Sequence, residues 1–135
     1  MKNLLLYFNC LRPHQWIKNF LIFIPFLAAH QINKEIIMSS ILIFISFSLM
    51  ASSVYVFNDL IDIKADRAHP LKRYRAFASK KIPTSYGKFI AVLLLILSLM
   101  IGLKVSNIFI IILIFYFLTS NFYSIILKKI IILDI

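Results

Sequence analysis

The chain has 135 residues, of which 61% are hydrophobic, and a formal net charge of +10 at pH 7. A small soluble domain leaves much of its surface exposed, so a chain this apolar favours a protein embedded in a membrane. The charge alone would also suit a nucleic-acid-binding protein. However, the sequence contains no helix-turn-helix, zinc finger or basic-aromatic interleaving, which leaves membrane lipid and not nucleic acid as the expected partner.

The N-terminal segment begins with a short apolar run, "NLLLYFNCL". Arg12 and His14 follow it where a signal peptide would have its cleavage site, so we expect a mature N-terminus. Cys10 is the only cysteine in the sequence, which excludes an internal disulfide and a cysteine metal site. The first predicted span follows at about Trp16 to His30, with Lys18 near its start.

Three longer apolar stretches follow, each with about the 20 residues that a membrane-spanning helix needs. We predict spans at about Ile36–Leu60, Tyr86–Val105 and Asn107–Leu127. A further apolar run, "IIILDI", begins after Lys129. The sequence therefore predicts an all-α integral membrane helical bundle, with about four transmembrane helices plus the start of a fifth. It forms a single transmembrane domain over residues 1–135.

Lysine and arginine are distributed unevenly between the two sides of this predicted bundle. Thirteen of the fifteen lie on the side of the N-terminus and of the long polar linker from about Ile63 to Pro83. The other two, Lys34 and Lys104, lie on the opposite side. An excess of Lys and Arg marks cytoplasmic loops. We therefore expect an integral protein of the cell (inner) membrane with its N-terminus and the linker in the cytoplasm.

Three of the five acidic residues lie within eight positions at the end of the second predicted span: Asp59, Asp62 and Asp66. Neither glycine nor proline interrupts this segment, so we expect the helix to continue through it. At about 100° per residue, Asn58, Asp62 and Asp66 form an i, i+4, i+8 row with Asp59 beside it. The same face continues into the membrane with small or polar residues: Tyr55, Ser52 and Ala51.

Carboxylates at these spacings repel each other, which costs about 0.2–0.5 kcal/mol per pair on a helix. They also oppose the helix dipole at a C-terminal end. A divalent cation would compensate, and Mg²⁺ binds carboxylate oxygens and completes its shell with water and substrate phosphates. We therefore predict that Asn58, Asp59, Asp62 and Asp66 bind Mg²⁺ and a diphosphate substrate, and that the three aspartates are catalytic.

A basic cluster follows the acidic motif directly. Arginine offers paired donors to phosphate and lysine offers a compact charge, so both suit a diphosphate. The predicted substrate-binding cations in this segment are Arg67, Lys72, Arg73 and Arg75. For these four residues a role in topology alone is an equal alternative. It is the better explanation for five other cations on this side: Lys80, Lys81, Lys88, Lys128 and Lys129.

The stretch "NDLIDIKADRAHPLKRYRAFASKKIP" resembles the first aspartate-rich motif of the UbiA superfamily of intramembrane prenyltransferases, an N-D-x-x-D-x-x-x-D pattern followed by a basic loop. The N-terminal "LRPHQWIKNFLIFIPFLAAH" is similar to the opening of this family, and "FYSIILKK" to a later "YS-x-x-LK" stretch. The "H-P-x-K-R" pattern is most similar to the branch that makes decaprenyl-phosphate phosphoribose. The resemblance covers essentially the whole chain.

This resemblance implies a bundle of about nine transmembrane helices, in which two aspartate-rich motifs face each other across a cavity and hold Mg²⁺ and a diphosphate. For the phosphoribosyl branch it implies transfer from phosphoribosyl pyrophosphate to a polyprenyl phosphate, which we favour. The alternative is prenyl transfer from a polyprenyl diphosphate to an aromatic or quinone-precursor acceptor. In both reactions, metal and basic groups stabilise the charge that develops on the leaving diphosphate.

The chain departs from the family pattern after the first motif. A second aspartate-rich motif is missing, and Asp134 is the only acidic residue after Asp66. We therefore expect the first half of the fold, which is poorly stable alone and needs a missing C-terminal half for activity. Whether this chain alone is an enzyme is left open. A non-catalytic membrane fragment or remnant is the alternative of another class, and it predicts no Mg²⁺-dependent diphosphate binding.

Two further residues are candidate substrate ligands outside the acidic motif and its loop. Lys18 either snorkels beside the neighbouring tryptophan or meets substrate phosphate, and the resemblance of "QW-x-KN" to the family opening favours the second role. Tyr123 lies with Asn121 and Ser124 in the fourth predicted span. These three polar side chains either line the cavity or form hydrogen bonds between helices.

Overall fold

The computed structural model describes residues 2–25 and 33–127, and within these ranges the chain is helical without β-strands. The N-terminal helix α1, Lys2–Asn9, leads into a 3₁₀ segment, Pro13–Phe23. The long helix α2, Lys34–Ile61, begins where the side chain of its capping residue Asn33 accepts a hydrogen bond from the backbone N–H of Ile36. Such a cap satisfies one of the otherwise unpaired N–H groups of a helix start.

Helix α2 is followed after one residue by the short helix α3, Ile63–Ala68, and then by a 3₁₀ turn at Lys72–Tyr74. Helix α4 spans Thr84–Leu103 and helix α5 spans Asn107–Phe122. A π-helical turn, Tyr123–Leu127, continues α5.

Three helical stretches in the described part of the chain are long and apolar enough to cross a membrane: Lys34–Ile61, Thr84–Leu103 and Asn107–Ile126. They correspond to the second, third and fourth predicted spans. The prediction of an all-α membrane bundle is thereby confirmed. The predicted fifth run falls on residues 130–135, outside the described residues.

In the first predicted span, about Trp16 to His30, residues 16–23 are wound as a 3₁₀ helix instead of the predicted α-helix. Residues 26–30 lie outside the described ranges. Trp16 Nε1 donates to Ser52 Oγ at 2.9 Å, and Asn19 Nδ2 donates to Ser48 Oγ at 3.0 Å. The step of three residues from Trp16 to Asn19 rises about 6 Å in a 3₁₀ helix, as does the step of four residues between Ser48 and Ser52 in an α-helix. The 3₁₀ winding therefore places both side chains opposite their serine partners on α2.

Helices α2 and α4 pack antiparallel through small side chains. Ser46 Oγ donates to the carbonyl of Ser98 at 2.8 Å, and Ser98 Oγ donates back to the carbonyl of Ser46 at 2.7 Å. One heptad further along, Ser53 Oγ donates to the carbonyl of Ala91 at 2.7 Å. Small residues let the two backbones approach closely, and bonds across the interface satisfy the hydroxyl groups within the membrane.

A small core closes the end of the bundle that carries the acidic motif. Its buried members come from the turn after α1, from α2, from α4 and from the loop between residues 76 and 82: Cys10, Val56, Phe77, Ile82 and Ala91. The ring of Tyr7 on α1 meets the ring of Tyr86 on α4 edge to face, with centroids 4.7 Å apart. This core fixes α1 and the basic loop against the end of α2, where the candidate site lies.

The predicted continuous helix through the acidic motif is interrupted at Asp62. This residue has φ −82° and ψ 3°, and it separates α2 from α3. Helical hydrogen bonds still cross the break, since Asp62 N–H donates to the Asn58 carbonyl at 2.9 Å and Asp66 N–H donates to the Asp62 carbonyl at 2.8 Å. A ψ near 0° lies in the bridge region, so the α-helical backbone is interrupted at Asp62 while these two hydrogen bonds are kept.

Candidate functional site

A polar pocket of about 310 Å³ lies where α2, the 3₁₀ turn and the π-helical turn meet. It is lined by residues from four parts of the chain: Arg12, Tyr55, Asn58, Asp59, Asp62, Lys72, Arg75, Tyr123 and Ser124. Three of these residues carry positive charge and two carry negative charge. The π-helical turn contributes two of the lining hydroxyl groups, and such turns are frequent at functional sites.

Asp59 is the most enclosed carboxylate that lines this pocket, with its side chain 11% exposed. Arg12 Nη2 donates to both of its oxygens, at 2.7 and 3.0 Å. The guanidinium of Arg12 also lies over the ring of Tyr55, 5.4 Å from the centroid. Burying a carboxylate is costly unless it is paired and hydrogen-bonded, so Arg12 stabilises Asp59 in its charged form.

Arg75 joins two carboxylates through one nitrogen atom. Its Nη1 donates to Asp59 Oδ1 at 3.2 Å and to the two oxygens of Asp66 at 3.0 and 3.3 Å. The Asp66 side chain is 5% exposed, whereas that of Arg75 is 32% exposed. The carboxylates of Asp59 and Asp66 therefore converge on a single cationic point, which the guanidinium occupies.

Two further members of the acidic motif border the pocket, Asn58 and Asp62. The Asn58 Oδ1 atom is buried and accepts no hydrogen bond from the residues that the structure describes. A buried polar atom without a partner is uncommon, and it suggests a place for a ligand or solvent donor. The predicted shared face of the motif is thus reproduced for Asn58, Asp59 and Asp62.

The predicted basic ligands divide into two groups. Lys72 and Arg75 line the pocket, as does Tyr123. Arg67 instead donates through Nε to the carbonyl of Ala78 at 3.0 Å, which ties the loop together.

The other two predicted cations also point elsewhere. Arg73 lies over the ring of its neighbour Tyr74 and donates to that hydroxyl at 2.8 Å. Lys18 is exposed and does not line the pocket. Lys18 belongs to the 3₁₀ segment, in which the side chains of Trp16 and Asn19 form hydrogen bonds to α2. Lys18 therefore lies on the side of this segment that faces away from α2.

Of the polar face of α2 that the sequence predicts to continue into the membrane, Tyr55 lines the pocket, whereas Ser52 and Ala51 are buried. Ser52 is completely buried, because Trp16 donates to its hydroxyl and the hydroxyl donates to the Leu11 carbonyl at 2.8 Å. The open space turns instead towards α5. There an adjoining cavity of about 450 Å³ shares Tyr55, Asn58 and the π-helical turn and adds further hydroxyl groups: Tyr116, Thr119 and Ser120.

Of the polar residues in the fourth predicted span, Ser124 lines both cavities together with Tyr123, in agreement with the cavity alternative. Asn121 does not line them. Its Nδ2 donates to the Phe117 carbonyl on its own helix at 2.7 Å.

Arg12 is a charged pocket residue that the sequence analysis did not include among the candidate ligands. It has φ 52° and ψ 52°, in the left-handed region, which is uncommon for a residue other than glycine. Backbone strain of this kind persists where the surroundings fix it, often at functional sites. One sequence signal could have found Arg12. Buried carboxylates need counter-charges, and Arg12 is the cation next to the "QW-x-KN" opening.

The donor atoms of the pocket fit Mg²⁺ in type, because carboxylate and amide oxygens are the ligands that this cation prefers. Their arrangement differs from a metal site. No group of three or more His, Cys, Asp or Glu side chains in the described ranges is placed to hold a metal ion. The carboxylates of Asp59 and Asp66 are bonded to arginines instead.

The fold and the pocket define a helical integral membrane protein with a paired acidic and basic site at one end of its bundle. The chain belongs to the UbiA prenyltransferase family, whose family model matches residues 19–135. The missed residue, Arg12, lies outside the matched range.

Similar proteins come from several bacteria. An uncharacterised protein, y4nM, of Sinorhizobium fredii is 35% identical over 93% of this chain and 24% of its own length. The nodulation protein NoeC of Azorhizobium caulinodans is 40% identical over 67% of this chain and 30% of its own length. A decaprenyl-phosphate phosphoribosyltransferase of Mycobacterium tuberculosis is 38% identical over 67% of this chain and 32% of its own length. The chain thus spans about a quarter to a third of the length of these relatives.

Proposed function

We propose that this chain is the diphosphate-binding part of a UbiA-family membrane transferase. The observation that carries the proposal is the pocket at the end of α2, where Asn58, Asp59 and Asp62 meet Lys72 and Arg75. Oxygen ligands for a divalent cation and cationic donors for phosphate share one space there. That combination suits a metal–diphosphate better than either partner alone.

The favoured reaction is phosphoribosyl transfer from phosphoribosyl pyrophosphate to a polyprenyl phosphate. The bond between C1 of the ribose and the pyrophosphate oxygen breaks, a lipid phosphate oxygen bonds to C1, and pyrophosphate leaves. This choice is supported by the mycobacterial relatives, which are named decaprenyl-phosphate phosphoribosyltransferases. Prenyl transfer from a polyprenyl diphosphate to an aromatic acceptor is the alternative, and the family description supports it.

The residues of the pocket have distinct tasks in such a reaction. When bound, Mg²⁺ supplies positive charge that stabilises the leaving diphosphate. Asn58, Asp59 and Asp62, together with Asp66, which Arg75 links to Asp59, would provide its oxygen ligands. Lys72 and Arg75 donate hydrogen bonds to the phosphate oxygens as negative charge grows on them, which favours bond breaking. The hydroxyl-rich cavity towards α5 accommodates the group that is transferred.

The test is a titration of the purified full chain in lipid nanodiscs with each donor, in Mg²⁺ and in EDTA. We expect phosphoribosyl pyrophosphate to bind in Mg²⁺ and to lose binding in EDTA. Asp62→Asn should weaken this binding, whereas Arg73→Gln, which changes a residue outside the pocket, should leave it unchanged. Binding of a prenyl diphosphate alone would select the alternative reaction. Binding of neither donor would favour a non-catalytic membrane fragment.

A further inference from the structure

The acidic motif poses a problem that the proposed function leaves open. Asp59 and Asp66 are the two most buried carboxylates that the structure describes, and both are already neutralised by arginines. A cation cannot bind between them while a guanidinium nitrogen occupies the point where their oxygens converge. That nitrogen belongs to Arg75, so the Arg75 guanidinium must leave if a cation is to bind there.

The contacts distinguish the two arginines. Arg12 donates to both oxygens of Asp59, lies over the Tyr55 ring, and is 23% exposed. It directly precedes the 3₁₀ segment that Trp16 and Asn19 fasten to α2. Arg75 is 32% exposed, and its hydrogen bonds to the described residues use Nη1 alone. Arg75 is therefore the more exposed of the two arginines and lies on the loop, whereas Arg12 is covered on one side by the Tyr55 ring.

The position of Arg75 Nη1 also suits replacement by a cation. Its distances to the oxygens of Asp59 and Asp66 are 3.0–3.3 Å. Magnesium–oxygen distances are about 2.0–2.1 Å. The carboxylates would have to close in by only about 1 Å each, which a rotation about their side-chain bonds can provide.

We propose that Arg75 is an exchangeable counter-ion. Without ligand it bridges Asp59 and Asp66, and when a metal–diphosphate binds it releases both carboxylates to the divalent cation and donates to the phosphate oxygens. Its Nε and Nη2 groups, which bond to none of the described residues, are the donors available for this step. Arg12 stays on Asp59 throughout and acts as a positioning residue. This inference rests on the proposed function.

An exchange of this kind makes a prediction that simple phosphate binding by Arg75 does not. Removing Arg75 frees the carboxylates, so the affinity for a cation alone should increase. The affinity for the diphosphate should decrease, because a charge-assisted donor is lost. A charge-assisted hydrogen bond contributes roughly ten-fold or more to binding.

The experiment measures Mn²⁺ binding by electron paramagnetic resonance on the full chain in nanodiscs, first alone and then with pyrophosphate. For Arg75→Gln we expect Mn²⁺ affinity to rise about five-fold, the factor that corresponds to the loss of a competing ion pair of about 1 kcal/mol. Pyrophosphate affinity at saturating Mn²⁺ should fall about ten-fold. Arg73→Gln removes the same charge from the same loop without touching a carboxylate, and should change neither value.

A second variant, Arg75→Lys, shows whether the result for Arg75→Gln comes from a folding defect. Lysine keeps the charge but has one compact donor group. We expect its Mn²⁺ affinity to match that of the original chain and its pyrophosphate affinity to fall. Unchanged or weaker Mn²⁺ binding in Arg75→Gln would overturn the exchange while leaving the proposed function intact. If the chain without substitutions bound neither Mn²⁺ nor pyrophosphate, this result would overturn the proposed function and, with it, the exchange of Arg75.

Discussion

At the scale of single residues, the site depends on how a buried negative charge is held at the end of a membrane helix. Asp59 is 9% exposed and lies beside a small apolar core. Among the described residues, its carboxylate forms ion pairs with Arg12 and with Arg75. Removing one partner of a buried pair leaves an uncompensated charge, which costs more than the pair itself contributes.

Arg12→Gln should destabilise the folded chain by about 1–3 kcal/mol, the range for losing charge-assisted hydrogen bonds to a largely buried group. The midpoint of thermal unfolding, followed by the fluorescence of the single tryptophan in nanodiscs, measures the change. Arg73→Gln is the matched control and should shift the midpoint little, because its side chain is exposed. Equal midpoints for the two variants would contradict the assigned role of Arg12.

Cys10 provides a second prediction at this scale. The thiol is 6% exposed and donates to the Tyr7 carbonyl at 2.9 Å. Burial and the nearby carboxylate of Asp59 raise the pKa of Cys10 from 9.0 to about 11. Since only the thiolate reacts readily, we expect negligible maleimide labelling of the folded chain at pH 8 and rapid labelling after denaturation. Rapid labelling of the folded chain would contradict the burial of α1 on the bundle.

The raised pKa of Cys10 also makes the free energy of unfolding depend on pH, and it decreases as the pH rises. The folded chain retains the Cys10 proton more tightly than the unfolded chain, whose thiol titrates near its ordinary value of 9.0. The contribution of this thiol to the free energy of unfolding is therefore fully present below pH 9. It is lost as the pH rises from 9 to about 11. A Cys10→Ala variant should lack this part of the alkaline destabilisation.

At the scale of helices, close packing at two glycines holds α4 in place. A Cβ atom at Gly87 would lie 2.7 Å from Phe77 Cε1 and 2.9 Å from Leu60 Cδ2. A Cβ atom at Gly102 would lie 3.0 Å from Leu113 Cδ1, the flexible end of a side chain. The Phe77 ring is 1% exposed and belongs to the small core, so it cannot move aside easily.

Gly87→Ala should therefore be the more damaging of the two glycine substitutions. Overpacking costs about 1–3 kcal/mol, whereas replacing glycine by alanine within a helix gains up to about 1 kcal/mol. We expect a net loss of stability at Gly87 and a change near zero for Gly102→Ala. The thermal midpoints of the two variants, compared in the same nanodiscs, decide the order. A more stable Gly87→Ala variant would show that the ring of Phe77 is not fixed.

The helices were largely predictable from the sequence, because long apolar runs determine membrane spans with little help from tertiary contacts. The predicted span Tyr86–Val105 differs by two residues at each end from helix α4. The 3₁₀ segment was not predictable in this way. Its winding is suited to hydrogen bonds with Ser48 and Ser52, which lie 29 and 36 residues further along the chain than their partners. Local sequence patterns carry no information about such distant partners.

The site was predictable to a similar degree. Helical spacing predicted one shared face for Asn58, Asp59, Asp62 and Asp66. The first three line one pocket, whereas Asp66 does not line it and instead accepts hydrogen bonds from Arg75. The partner of Asp59 was not predictable from spacing, since Arg12 lies 47 residues away in the sequence. The break at Asp62 was also missed, because no glycine or proline marks it. The predicted Mg²⁺ and diphosphate ligands stay a prediction.

At the scale of the whole molecule, the bundle leaves much apolar surface uncovered on α5. Its exposed residues include Ile108 at 72% and Phe115 at 68%, and only 11% of the span is buried. Surface of this kind requires lipid or further helices around it. The low stability expected of the isolated chain stays a prediction that follows from this exposure.

The charge asymmetry of the whole chain predicts its orientation in the membrane, with the pocket on the cytoplasmic side. Cysteine labelling tests this in a Cys10→Ala background. Ala68 lies at the end of α3, on the side of the membrane that carries the acidic motif. Asn107 lies at the start of α5, on the opposite side, and both residues are exposed. A membrane-impermeant maleimide should label Asn107→Cys in intact cells, and Ala68→Cys only after permeabilisation. Labelling of Ala68→Cys in intact cells would place the acidic motif outside, away from cytoplasmic diphosphates, and would contradict the proposed donor together with the orientation.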